Sequence, residues 1–131
     1  MTLSMYQASV PVFQKRLGNL RAILQKGDSC AQAKKIDPSI LLNTRLYLDM
    51  FALTRQVQIA TDVAKGACAR LTGQEERDIT ILPGGKEMHF KGQPYLMHWA
   101  LPNFYFHVMA TYAILRHNGV DVGKMDYLGS F

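Results

Sequence analysis

The apolar positions divide the chain into segments of different period. Tyr6, Val10, Phe13, Leu17, Leu20 and Leu24 recur at steps of three and four, which places them on one face of a helix. Ser4 is a candidate N-cap. Pro11 would then fall in the second turn, and the residue before a proline is disfavoured in helical geometry. The helix therefore either starts at Pro11 or bends there. Gly27 is the natural stop. In the less regular stretch that follows, Asp37 as N-cap and Pro38 as first helical residue predict one or two turns. A second long helix is expected from about Asp49, read as its cap, to Leu71, with Gly73 ending it. Met50, Leu53, Val57, Ala60, Ala64 and Ala67 form its apolar stripe. The stripe shrinks to alanine toward the C-terminal end, so a neighbouring helix can come close.

The period then changes to two. Ile79 and Ile81 share one face of a strand, Met88 and Phe90 share one face of the next, and Pro83-Gly84-Gly85 supplies the turn. Such a hairpin is marginal alone and is expected to pack on the helices. The last long segment is helical again, from Gln93-Pro94, with Ala100, Phe104, His107, Thr111, Ile114 and Leu115 along one side. Arg116, His117, Asn118 and Gly119 form a C-terminal signal of cationic residues followed by glycine. The pattern is that of a mainly α protein with a small β-hairpin.

At 131 residues the chain fits a single domain, 1–131, and the 48% of apolar residues is enough to bury a core without staples. The net charge of +5 is scattered, with Lys15-Arg16 and Lys34-Lys35 the only adjacent basic pairs. Nucleic-acid binders concentrate charge on a face or stripe, so no nucleic-acid partner is expected. No apolar run approaches the roughly 20 residues that span a bilayer, so no membrane partner is expected either. Nor does the N-terminus read as a secretory signal, and the default compartment is the cytoplasm. The two cysteines, Cys30 and Cys68, do not make a disulfide framework, and Cys68 among alanines reads as a small hydrophobe.

The candidate chemistry centres on "HWALPNFYFH", from His98 to His107. Nine residues of helix amount to a net half turn, so the two histidines point to opposite sides unless Pro102 redirects the first. The residue that shares a face with His107 is Asn103, four positions earlier. An amide oxygen is a poor ligand for zinc, nickel or iron, and the plain reading of this pair is a hydrogen-bonded polar group in a bundle core. Trp99, Phe104, Tyr105 and Phe106 read first as core aromatics and second as a stacking surface. His89 and His117 read as surface groups.

The stretches "MYQASVPVFQKRLGNL", "DMFALTRQVQIATDVAKGACARL" and "HWALPNFYFHVMATYAILRHNGV" resemble the DinB-like (YfiT-like) four-helix bundles. They are most similar to an uncharacterised domain-of-unknown-function branch found in bacteria and fungi. His107 followed by Leu115-Arg116-His117-Asn118-Gly119 matches the closing motif of those proteins. The resemblance implies a DinB-like bundle and a divalent-metal site of three histidines. His107 matches the final ligand, Asn103 stands at the preceding one, and Gln56 falls near the third. It therefore implies a degenerate pocket of Gln56, Asn103 and His107, between the second and last long helices, for a small-molecule ligand. A divalent ion (Zn, Ni, Fe or Mn) on His107 remains open. The alternatives are a metal-dependent hydrolase or transferase with His98 or Asp49 as second donor, and a structural dimerisation module. Only "TGQEERD" separates Leu71 from Ile79, so the chain reads as one bundle helix short. An uncovered apolar face would then favour a homodimer.

Overall fold

In the computed structural model the structure describes residues 2–71 and 77–131. The expected mainly α architecture is present: three long helices, a two-stranded antiparallel sheet and short helical turns.

Helix α1 spans Met5–Ala33. Ser4 closes a capping box, its hydroxyl accepting the Gln7 N–H while the Gln7 side chain accepts the Ser4 N–H. Two expectations for this helix are corrected. Pro11 does not start it, because the helix runs through that residue from Met5. Gly27 does not stop it either. Gly27 is buried, and a Cβ there would lie 3.2 Å from Leu115 Cδ2, so glycine admits a neighbouring leucine. The helix stops at a Schellman motif, in which Ile36 N–H reaches Ala31 O and Lys35 N–H reaches Gln32 O. Lys35 takes the left-handed position that glycine usually fills, with φ 54°. Tyr6 is exposed and Ser9 is buried, bonding back to Met5 O.

Helix α2, Pro38–Leu42, is capped by Asp37 as expected, through the Ser39 N–H. Helix α3 is Leu53–Arg70. Asp49 is not its cap: it lies exposed in a turn, while the Leu53 N–H bonds to the Thr44 carbonyl. Gly73, the expected stop, lies outside the described residues. The buried face of α3 is Leu53, Gln56, Ala60, Ala64 and Ala67.

Strands β1 (Asp78–Ile81) and β2 (Met88–Lys91) pair with Ile79 opposite Phe90 and Ile81 opposite Met88. Gly84 and Gly85 supply the two positive φ values of the turn. Helix α4 (Gly92–Tyr95), a π-helical turn (Leu96–Ala100) and α5 (Leu101–His117) then follow without a break in helical geometry. The π turn is the answer to Pro102. A proline lacks the N–H and crowds the carbonyl one turn back; one wide turn before it, with Leu101 N–H bonded to Leu96 O, makes room. Gly119, with φ 87°, ends α5 as expected. Helix α6, Lys124–Leu128, is tied to α1 by Arg16 and Asn19 donating to the Tyr127 and Leu128 carbonyls, and by the Lys26–Asp126 pair at 2.8 Å.

The core has two parts. One joins Phe13, Ala60, Ala64, Ala67, Leu96, Ala100 and Phe104; the other joins Ile23, Leu53, Ile114, Leu115 and Val120. Phe13 and Phe104 meet edge to face at 5.0 Å and lock α1 to α5.

Lysine at the left-handed Schellman position stores backbone strain. Lys35→Gly is expected to raise unfolding free energy by about 1 kcal/mol, measured by urea denaturation; a loss of stability would show that the lysine side chain holds the turn.

Candidate functional site

Helices α3 and α5 carry the three expected residues. Gln56 lies on the buried face of α3 and is 1% exposed, and His107 lies on the facing side of α5 and is 8% exposed. They meet directly: His107 Nδ1 and Gln56 Oε1 are 2.6 Å apart. An amide oxygen only accepts, so the imidazole donates from Nδ1. Gln56 Nε2 in turn donates to the Phe51 carbonyl at 3.2 Å, which fixes the amide orientation. The Thr111 hydroxyl donates to the His107 carbonyl at 3.0 Å.

This leaves His107 Nε2 with an unshared lone pair. Among the described residues every fully buried side-chain nitrogen and oxygen has a hydrogen-bond partner. Nε2 has none among them, and 8% of His107 remains accessible. The ring of Phe106 stands edge-on beside the imidazole, with centroids 5.0 Å apart. Burial first, then the charge of Arg55, hold His107 below its usual value of 6.5. The ring is thus a neutral acceptor.

Asn103 is half-buried on α5 and bonds to neither Gln56 nor His107, so the structure brings together two of the three expected residues. His98 is exposed, while His107 is buried, as the half-turn geometry requires. Asp49 is exposed and also stands apart. The aromatic cluster divides: Phe104 is core, Trp99 and Tyr105 are half-buried, and Phe106 is 57% exposed. His89 is at the surface with Thr80 and Glu87, and His117 is exposed in the last turn of α5. Cys30 and Cys68 are both free thiols, and burial pushes Cys68 up.

A pattern match places residues 5–81 and 72–128 in a family described as Domain of unknown function (DUF1993). A crystal structure of a DinB family member protein from Shewanella denitrificans is 37% identical, with a TM-score of 0.87 over 96% of this chain and 92% of that one. The chain belongs to the DinB-like DUF1993 family. No curated protein matches it.

The metal that the resemblance implies does not fit these residues. Among the described residues no three His, Cys, Asp or Glu side chains come together. The Gln56 oxygen is used to orient the imidazole, leaving one ring nitrogen and the Asn103 amide. A tightly held zinc, nickel, iron or manganese ion asks for more imidazole, thiolate or carboxylate than that.

A DinB-like protein with this pair has a defined acid response. The unfolded chain binds a proton at His107 near 6.5, and the folded chain only at lower pH. Stability contributed by the neutral ring is full above 6.5 and falls as the pH drops from there toward the folded value. Asp37 and Asp126, held below 3.8 chiefly by their hydrogen bonds to Ser39 and to Lys26, lose their contributions only as the pH falls below that value. Urea unfolding of wild type and His107→Gln between about pH 5 and 7 is expected to show a slope in the wild type that the variant lacks. Gln56→Leu, which strands the buried Nδ1–H, is expected to lose about 1–3 kcal/mol at neutral pH.

Proposed function

We propose that this DinB-like chain is a small-ligand-binding protein whose site is built on His107, with Nε2 as the accepting atom. The observation that carries the reading is the asymmetric imidazole: Nδ1–H is fixed by Gln56, while Nε2 has no hydrogen-bond partner among the described residues, in a side chain that keeps 8% of its residue accessible. A ring whose tautomer is fixed by a buried partner is prepared to accept a hydrogen bond from a ligand N–H or O–H. Asn103, one turn before it on the same helix, would add a donor or acceptor. The reading treats the pocket as a degenerate metal site rather than a working one. The metal-dependent hydrolase or transferase finds no support in the donor set.

The Gln56–His107 bond also favours a second reading, in which the pair only specifies how α3 and α5 pack. The two readings separate on one variant. Ligand-observed NMR with a library of polar fragments is expected to find compounds that bind the wild type and not His107→Ala, with the variant folded by circular dichroism. Fragments that bind both equally, or none, would leave the structural role. Elemental analysis of both proteins is expected to find no stoichiometric metal; a metal present in the wild type and lost in the variant would restore the enzyme.

We also propose that the protein is a cytoplasmic homodimer. Free thiols at Cys30 and Cys68 suit a reducing compartment. The exposed side of α5 carries Phe106 and Met109, 57% and 47% accessible, one turn apart. Sedimentation equilibrium is expected to give a dimer mass for the wild type and a monomer for Phe106→Glu; a monomeric wild type overturns the proposal.

A further inference from the structure

A groove of about 280 Å³ flanks the buried face of α3, between that helix, the end of β1 and the π turn. None of Gln56, Asn103 and His107 lines it, although Arg55, whose charge acts on His107, stands at its edge. Arg55, Ile59, Asp62, Val63 and Arg70 line it from α3, with Tyr95 and Trp99 opposite. Gly66 continues the same row of α3, at steps of three and four.

The glycine explains where Arg70 goes. Side chains of a helix lean toward its N-terminus, so Arg70 lies back over the turn that contains Gly66. A Cβ on Gly66 would collide with Arg70 Nη1. The bare backbone is the bed of the guanidinium. Its other support is Tyr95, which is 2% exposed and whose ring centroid is 6.0 Å from Arg70 Cζ. The Tyr95 hydroxyl, pushed up by burial, is pulled back chiefly by the charge of Arg70. Arg70 has no carboxylate partner among the described residues. The result is a planar cation, held on two sides and lining a groove that it shares with Ile59, Val63, Ile81 and Trp99.

We propose that this groove binds a small organic carboxylate with a flat apolar body. A guanidinium fork matches the two oxygens of a carboxylate. Ile59, Val63 and Trp99 offer the surface for an aromatic or branched body. Asp62 on the same wall disfavours a dianion such as a phosphate ester, and the volume admits only a small molecule. The π-helical turn supports the assignment from a different direction. Such turns collect at functional sites, and this one places Trp99 in the groove.

Trp99 is the only tryptophan of the chain, so its fluorescence reports on the groove without labelling. The probes are phenylacetate and its neutral isostere phenylacetamide, titrated into the full chain. Phenylacetate is expected to give a saturable change, with the amide at least about tenfold weaker. Arg70→Gln is expected to bring the acid down to the level of the amide. Gly66→Ala is expected to weaken the acid while the melting temperature stays or rises, because alanine is the better helix former. Lys65→Gln, with the same charge change on the same helix but outside the groove, is expected to bind as the wild type does. No saturable change in the wild type, equal binding of acid and amide, or an acid preference that survives Arg70→Gln would each overturn the proposal.

Discussion

The close approach of α3 to the last long helix sets the rest of the structure. Ala60, Ala64 and Ala67 turn toward Leu96, Ala100 and Phe104, and all six are nearly inaccessible. Alanines on one helix bring the backbones near, and large side chains on the other fill what remains. That seam must be continuous for α1 to find its place, since Phe13 meets Phe104 only where Phe104 is held against the alanines. Pro102 stands in the middle of the helix that makes the seam. A kink there would carry Leu96 and Ala100 away from α3. The π turn absorbs the proline within one turn and keeps the helix running, so the seam survives on both sides of it.

Features written by neighbours in sequence were legible before the structure. The Asp37–Pro38 start, the hairpin around Pro83-Gly84-Gly85 and the Arg116 to Gly119 ending each depend on a few adjacent residues, and each stands where the pattern put it. The features that failed depend on distant partners. Gly27 looked like a stop because glycine often is one; its reason is Leu115, 88 positions away. Asp49 looked like a cap, but the first N–H of α3 bonds to Thr44 instead. Pro102 looked like a bend, and no local rule says that the turn before it will widen.

The candidate site was legible in a similar way. His107 and Gln56 came from the family resemblance, and the structure places them in contact. What their spacing could not show is that Gln56 holds the imidazole, since that requires two helices to bring residues 51 positions apart face to face. Asn103 shares a face with His107 and still stays out of the bond. The Gly66–Arg70 relation was missed altogether, although its signal is in the sequence: a glycine inside a helix, four residues before an arginine, where alanine would serve the helix better.

The polar pair changes what the alanine seam can do. An apolar seam of small residues is permissive, because helices in such contact can slide by a turn and still bury alanine against leucine. A buried amide bonded to a buried imidazole is not permissive. Sliding α3 by one turn would separate Gln56 from His107 and leave Nδ1–H, Oε1 and the surrounding groups without partners, each at a loss of about 1–3 kcal/mol. The pair therefore selects one register of α3 on α5 among those the alanines allow. The same bond that fixes the register also fixes the tautomer, and with it the free lone pair at Nε2. Packing and site chemistry are thus one constraint, and a change at Gln56 cannot alter one while leaving the other untouched.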